Sequence, residues 1–202
     1  MKRVIFLVAL FLSLRLLAQA QAGDLSTSVK VINAPGLPVQ ITQGELRDFM
    51  HTSKLTYFLQ NMTSEPLRSA SLFLSIVRKG KVVEGEGWNE TASRNHPADG
   101  ALMHDSPLHL QPGDQAYLMI TALGTKGTTY TLEGARVGQI LLDVIAGNID
   151  PAQIRFQSSS FEGAQPLEVP DCSAGLAQAT LTCTNGVASF SCSTSGYSFT
   201  CK

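Results

Sequence analysis

Apolar and polar residues alternate with a period of two along most of the chain after residue 23. The alternation is regular in residues 55–60, 71–76 and 116–121, and it continues less regularly into residues 137–145 and 154–156. Successive side chains of a β-strand point to opposite faces of a sheet, so this period predicts strands. The hydrophobic pattern therefore predicts a protein built mainly of short β-strands.

Turn-forming residues separate these runs. Residues 61–66 form a polar connection, residues 78–81 have the composition of a hairpin turn, and residues 111–114 place proline and glycine where a tight turn requires them. Short strands at spacings of about 8–12 residues are typical of antiparallel sandwiches and barrels. A domain spanning residues 23–168 can bury about two-thirds of its unfolded surface, so it needs no disulfide to be stable.

Residues 138–146 are the one segment of this region for which a helix competes with a strand. They form an apolar run without a helix-breaking residue. The β-branched residues in the run, Ile140, Val144 and Ile145, favour a strand. We therefore expect a strand here.

The last 31 residues contain a nine-residue repeat with a cysteine at the same place in each copy. Cys183, Cys192 and Cys201 occupy equivalent positions, Cys172 lies upstream, and the first 171 residues contain no cysteine. An even number of cysteines in one segment predicts disulfides and an oxidising compartment. A segment this short needs cross-links or a partner to be stable, so residues 169–202 are predicted to form a small disulfide-bonded β-meander of three strands.

Two-residue turns at 185–186 and 195–196 would fix the register of this tail and give it two different faces. The apolar face would hold Leu181, Cys183, Ala188, Phe190, Cys192, Tyr197, Phe199 and Cys201. The hydroxyl face would hold Thr180, Thr182, Thr184, Ser189, Ser191, Ser193, Ser198 and Thr200. We expect the apolar face to pack on the large domain or on a partner, and the hydroxyl face to meet solvent.

No two cysteines lie directly opposite each other in this register. Diagonal neighbours are about 7–8 Å apart, which is too far for an unstrained bridge. Either a longer turn brings Cys183 opposite Cys192, or Cys172 folds back and pairs across the sheet. Three connectivities remain open. We expect two bridges and no free thiol.

The N-terminus has the features of a secretory signal peptide. Lys2 and Arg3 precede an apolar run over residues 4–14, and small residues at 18, 20 and 22 offer cleavage sites. The run is shorter than the roughly 20 residues that span a membrane, although a retained anchor is an alternative. We predict a signal peptide over residues 1–22, a secreted or periplasmic protein, and no membrane association after cleavage.

Composition argues against partners that carry many negative charges. The chain has 15 Lys and Arg against 16 Asp and Glu, and charged residues make up only 15% of it. No basic stripe is present, so we do not expect nucleic acid as a partner. Surface polarity must come mostly from uncharged residues.

Several segments together resemble bacterial extracellular immunoglobulin-like domains, with the FxLYD-like group as the nearest type, over about residues 50–122. The resemblance is carried by residues 61–67 between two strands, by residues 79–83 and by residues 110–113. The group's signature falls on residues 74–78, where spacing and apolar character match and residue identity does not. The resemblance implies an exported immunoglobulin-like antiparallel β-sandwich over residues 23–168, and no catalytic residue. The antibody-type Cys–Trp–Cys core is absent, because this region lacks cysteine and its Trp88 is expected in a loop.

A long connection over residues 85–107 is the expected place for a binding site, because loops of this length are often functional. The candidate residues are Trp88, His96, Asp99, His104, Asp105 and, just beyond, His109. Imidazole and carboxylate groups can bind zinc, but the spacings match no known ligand pattern and no cysteine is nearby. We therefore predict no metal and no cofactor.

Motifs for catalysis are also absent. Residues 104–106 read His-Asp-Ser, but a catalytic triad is a spatial arrangement that three adjacent residues cannot form on one reacting carbonyl. Glu84, Glu86 and Glu90 could pair for glycoside hydrolysis, as could other surface carboxylates. No nucleophile elbow, zinc-binding helix motif or phosphate loop occurs, so we predict that the protein is not an enzyme.

The sequence as a whole predicts an exported all-β protein that acts as a non-catalytic binding or structural module. Its partner would be an unidentified protein or glycan. One alternative is a carbohydrate-binding or inhibitor-like protein that uses the 85–107 connection or the hydroxyl face of the tail. Another is a hydrolase with its site in that connection.

Overall fold

The computed structural model describes residues 25–49, 52–92, 99–132, 137–160 and 172–202. The signal peptide predicted for residues 1–22 and the boundary predicted between residues 168 and 169 lie outside these ranges. The strands are β1 (Leu25–Ile32), β2 (Val39–Phe49), β3 (Thr52–Asn61), β4 (Leu67–Arg78), β5 (Lys81–Thr91), β6 (Gly100–Ser106), β7 (Gln115–Thr125), β8 (Thr128–Leu132), β9 (Phe156–Ser160), β10 (Val187–Ser193) and β11 (Gly196–Cys201). The helices are α1 (Val137–Ile145), a one-turn 3-10 helix (Pro151–Gln153) and α2 (Cys172–Thr182).

The strands form one curled mixed sheet in the order β10-β11-β5-β4-β7-β1-β2-β3-β6, with β8 and β9 continuing from part of β7. Neighbouring strands are antiparallel, except that β1 runs parallel to β7. The first half of β1 pairs with β2 and its second half pairs with β7, so this strand joins two limbs of the sheet. The prediction of an all-β fold is confirmed, and the immunoglobulin-like sandwich stays a prediction.

The two limbs share one hydrophobic core. Its largest fully buried side chains come from both limbs, and they include Leu46 and Leu55 on β2 and β3 and Leu72, Leu74 and Leu118 on β4 and β7. On β3 the buried residues alternate with more exposed ones, whereas residues 72–77 of β4 are buried on both faces. Burial of apolar surface from both limbs therefore holds the curled shape.

Two turns lie where the sequence predicts them. Lys79 and Gly80 both have positive φ between β4 and β5, as a two-residue hairpin turn requires. In the turn before β7, Gly113 has a φ of 86° and the amide of Asp114 donates to the carbonyl of Gln111. The buried Asp114 carboxylate also accepts two hydrogen bonds from the Arg78 guanidinium, at 2.7 and 2.8 Å. This ion pair fixes the second turn against the end of β4.

The strand prediction for residues 138–146 is wrong, because this segment belongs to helix α1. Gly138 of α1 lies against α2, and a Cβ built on it would come within 1.8 Å of the Thr182 hydroxyl. Leu141, one turn further along, is fully buried. Close packing of two helices at a glycine thus outweighs the strand preference of the β-branched residues in the segment.

The prediction of a three-stranded tail is also wrong for the first third of the tail. Residues 172–182 form α2, and a turn at Thr184 and Asn185 leads from the helix into a two-stranded hairpin, β10–β11. The first third has no strict period-two alternation, and the buried positions Gly175 and Ala179 are one helical turn apart. The hairpin turn lies at Thr194 and Ser195, one residue earlier than predicted, so Phe190 pairs with Phe199 and not with Cys201. Each residue of β10 thus pairs with a residue of β11 two positions earlier than predicted. Because side chains alternate between faces with a period of two, the predicted faces of β10 and β11 are unchanged.

Both ends of α2 are tied to this hairpin by disulfides. Cys172 at the helix start bonds to Cys192 on β10, and Cys183 just after the helix bonds to Cys201 on β11. No cysteine is left free. Cys172 therefore folds back across the sheet, which is one of the two arrangements left open by the sequence. Each bridge is expected to contribute about 2–4 kcal/mol to stability.

Glycines on β5 receive the aromatic residues of the tail. β11 pairs antiparallel with β5, with Phe199 opposite Gly85 and Tyr197 opposite Gly87. A Cβ built on Gly85 would lie 2.4 Å from the Phe199 ring, and one built on Gly87 would lie 2.7 Å from the Tyr197 ring. Phe199 also stacks on Phe73 of β4, with 6.2 Å between the ring centroids. The tail is therefore joined to the sheet by backbone pairing and by two rings that lie over glycines.

We expect Gly85→Ala and Gly87→Ala each to destabilise the protein by about 1–3 kcal/mol, because the added methyl group must displace an aromatic ring of β11. Urea unfolding of the oxidised protein measures the change, and hydrogen exchange shows whether the β11 amides lose protection first. Gly127→Ala is the matched control, since nothing lies within 4 Å of its Cβ position. Equal stability of all three variants would contradict the role given to these glycines.

Candidate functional site

Most of the predicted 85–107 loop is strand. Residues 85–91 belong to β5 and residues 100–106 to β6, and Trp88 is a core residue that is only 3% exposed. The prediction that Trp88 lies in a loop is therefore wrong. Gly85 and Gly87 made the segment look like a loop, because glycine in a strand pattern usually marks a break or the close approach of another group. Here the approaching groups are Phe199 and Tyr197, which are distant in sequence.

A buried carboxylate connects β5 to β6. One oxygen of Glu86 lies 2.8 Å from Nε2 of His104, and the other accepts a hydrogen bond of 2.7 Å from the Ser106 hydroxyl. Glu86 is 7% exposed. β5 and β6 are far apart in the strand order, so these bonds draw the end of one limb against the other. A buried carboxylate is costly unless it is hydrogen-bonded, and both of its oxygens have a partner here.

Trp88 lies between this carboxylate and a second polar cluster. Its indole ring stacks on the imidazole of His104, with 4.1 Å between centroids and 7° between planes. Its Nε1 donates to Glu90 at 3.0 Å, and the hydroxyl of Tyr57 on β3 donates to the same carboxylate oxygen. Burial, reinforced by the charge of Glu90, raises the pKa of Tyr57 far above the usual value for tyrosine. The single tryptophan is thus in contact with side chains from both limbs.

A surface pocket of about 260 Å³ opens beside this cluster, between β6 and the tail hairpin. We call it the β6–tail pocket. Its lining residues come from β5, β6 and the hairpin, and they are Glu86, His104, Asp105, Pro107, Ser191, Ser193, Ser195, Gly196, Tyr197 and Ser198. The connection and the hydroxyl face that the sequence analysis treated as two separate candidate surfaces therefore meet in one pocket.

Of the other predicted candidate residues, one lines this pocket and the others do not, or lie outside the described residues. Asp105 lines it but is exposed, with its carboxylate 3.5 Å from the ammonium of Lys54. Asp99 precedes β6, and neither it nor His109 lines the pocket. The imidazole of His109 is exposed, and its main-chain amide donates to Glu84. His96 lies outside the described residues.

The geometry of Ser106, Glu86 and His104 differs from that of a Ser-His-acid triad. In a triad the histidine lies between the acid and the nucleophile and takes the proton of the serine. Here the carboxylate lies between the hydroxyl and the imidazole, and Ser106 is only 2% exposed. The three side chains therefore hold two strands together and do not form a proton relay. Within the described residues, no group of three His, Cys, Asp or Glu side chains could hold a metal ion.

In the sequence, Glu86 is a candidate only as one of three glutamates that could pair for glycoside hydrolysis. The sequence gives no local signal for its role, because Glu86 lies between two glycines in a segment predicted to be a loop. A carboxylate at an inward position needs donors from elsewhere in the fold. Those donors, on β6, could not be identified from the sequence alone.

A second, larger depression of about 430 Å³ lies on the outer face of β1, β2, β3 and β6. Ser28, Glu45, Thr56 and Met103 are successive cross-strand neighbours in its lining. Glu45, the charged residue of this lining among the described residues, is paired with Arg47 at 3.0 Å. The β6–tail pocket is the better candidate site, because the predicted connection and the predicted hydroxyl face of the tail meet there, whereas the tail does not line this depression.

We expect His104→Ala to lower the free energy of unfolding by about 2–4 kcal/mol, because it leaves the buried Glu86 carboxylate short of a partner and uncovers one face of Trp88. Urea unfolding followed by Trp88 fluorescence measures both effects. His109→Ala is the matched control, and its change should stay within about 0.5 kcal/mol. Similar losses in the two variants would show that His104 has no special role in joining the strands.

The raised pKa of Tyr57 predicts that its hydroxyl stays protonated at a pH at which an ordinary tyrosine ionises. An ordinary tyrosine ionises near pH 10, so Tyr57→Phe should leave the tyrosinate absorbance of the native protein at about pH 11 unchanged. In urea the same substitution should remove the signal of one tyrosine of the four. The folded state holds this proton more tightly, so its contribution to stability is complete below about pH 10 and declines above it. An equal loss of signal in both states would contradict the prediction.

The described residues contain two disulfides, and none of their helices is long and apolar enough to cross a membrane. Disulfides of this kind are typical of oxidising compartments outside the cytosol.

Comparison of the chain with protein-family models, curated proteins and solved structures gives no match. The resemblance to FxLYD-like domains therefore stays a prediction.

Proposed function

We propose that this protein is an exported, non-catalytic binding module and that the β6–tail pocket is its binding site. The observation that carries the proposal is the convergence of three separate segments on one concave surface. β5 contributes Glu86, β6 contributes His104 and Asp105, and the tail hairpin contributes a row of serines. Binding sites are typically concave and combine a few polar groups from several elements, held in place by a rigid scaffold.

The scaffold around this pocket is well suited to binding. Two disulfides hold α2 against the hairpin, and β11 is paired to β5 along five residues. His104 is fixed between Trp88 and Glu86. A site whose walls are fixed before the ligand arrives loses less entropy on binding.

The proposal places the protein in the periplasm or outside the cell. The disulfides support an oxidising compartment, and the apolar run at residues 4–14 with small residues after it supports export through a signal peptide. The hydrogen-bonding state of the carboxylates supports a non-catalytic role. Glu84 accepts from His109, Glu86 from Ser106, and Glu90 from Tyr57 and Trp88.

Screening by nuclear magnetic resonance tests the proposal without knowledge of the natural ligand. The oxidised, isotope-labelled protein is titrated with a library of neutral, acidic and basic fragments that contains no sugars. We expect the ligands found to shift amides of the β6–tail pocket, because this is where small molecules meet fixed polar groups. Ser191→Trp should abolish these shifts by filling the pocket.

Ser189→Trp is the matched control, since Ser189 lies on the same strand, is exposed, and does not line the pocket. It should retain the shifts of the native protein. The proposal fails if no small molecule, neutral sugars included, shifts the pocket amides, or if the shifts persist unchanged in Ser191→Trp.

A further inference from the structure

Hydroxyl groups dominate one wall of the β6–tail pocket. Ser191, Ser193, Ser195 and Ser198 all belong to its lining. Each serine hydroxyl can donate one hydrogen bond and accept two, so this wall can pair with donors and acceptors of a ligand alike. Ser193 and Ser195 are also bonded to each other at 2.8 Å, which orders the hydroxyls at the hairpin turn. A wall of this kind matches a ligand that carries several hydroxyl groups of its own.

The charges around the pocket favour a neutral ligand. The described lining contains two carboxylates and no lysine or arginine, so an anion would meet negative charge without a compensating cation. A cation would gain little, because each carboxylate already has a partner. Glu86 is bonded to His104 and Ser106, and Asp105 lies beside Lys54.

The remaining wall offers a small apolar surface. Trp88 covers one face of the His104 imidazole, whose side chain is 20% exposed, so the exposed part lies on the other face and at the edges. Pro107 lies beside it in the lining. A pyranose ring presents both hydroxyl groups and a face of C–H bonds, and an aromatic ring provides a complementary surface for that face.

We infer that the β6–tail pocket binds a neutral saccharide, with the C–H face of one sugar ring against His104 and Pro107 and its hydroxyls bonded to the tail serines. This inference rests on the proposed binding function and names the ligand class of that same site. The pocket volume of about 260 Å³ lies just below the usual range of small-molecule sites, which suits a single sugar unit or the end of a chain. Ser191 and Ser198 determine specificity in this arrangement, because they present hydroxyls from two neighbouring strands at paired positions.

Titration of the oxidised full chain with methyl glycosides of neutral hexoses, with methyl N-acetylglucosaminide, with glucuronate and with glucosamine tests the inference. Binding is followed by Trp88 fluorescence, since the single tryptophan stacks on His104, and by amide shifts of the pocket residues. We expect at least one neutral sugar to bind, and glucuronate to bind about tenfold more weakly or not at all. Ser191→Ala and Ser198→Ala should each reduce the affinity for the neutral sugar about fivefold, as expected for the loss of one hydrogen bond.

Ser189→Ala is the matched control and should leave the affinity unchanged, because Ser189 is a serine of β10 outside the pocket lining. Several results would overturn the inference: no shift with any neutral sugar, tighter binding of glucuronate or glucosamine, or unchanged affinity in Ser191→Ala and Ser198→Ala. If the sugar-free fragments still shift the pocket in the native protein, the binding function stands and only the ligand class is wrong. If neither set binds, both proposals fail.

Discussion

The buried carboxylate of Glu86 is the polar interaction that fixes how the two limbs meet at the candidate site, within a sheet whose curled shape is held by apolar burial. It bonds to His104 and Ser106 and so holds β6, at one end of the sheet, against β5 in the other limb. A carboxylate with 7% exposure is tolerated only while both oxygens keep their donors. The same bonds fix His104 on Trp88 and place its ring at the β6–tail pocket. One polar contact in the core thus links the two limbs and builds one side of the candidate site.

The other side of the site depends on how a short C-terminal segment is held in place. The tail has too few residues for a core of its own, so it uses the core of the larger region. Phe199 and Tyr197 lie over Gly85 and Gly87, and the two disulfides fasten α2 over the outer side of the hairpin. The apolar face of the hairpin is then covered, and Ser191 and Ser198 are left to line the pocket. Covalent and packing constraints on one face therefore determine what the opposite face can bind.

The proposed function follows from an unusual balance of polar groups. Charged residues are scarce in this chain, and the carboxylates near the site are already hydrogen-bonded or paired. What remains for a ligand is a set of neutral hydroxyls on a rigid frame. Hydroxyl groups recognise other hydroxyl groups without a net charge on either side, which is why the proposed ligand is a neutral saccharide and not an ion.

The sequence by itself determined the features that depend on neighbouring residues. Period-two alternation gave β3, β4 and β7, Lys79-Gly80 and Pro112-Gly113 gave two turns, and the cysteines gave the disulfides. It also gave the hydroxyl face of the hairpin, because a strand's faces follow from its period alone. Tertiary structure decided the rest. Helices replaced predicted strands where Gly138 packs on Thr182 and where disulfides fasten α2, and Trp88 is a core residue because Tyr57 and His104 of the other limb pack on it. Contacts of this kind connect residues that are not neighbours in the sequence, such as Gly138 and Thr182, and no local pattern records which of them will meet.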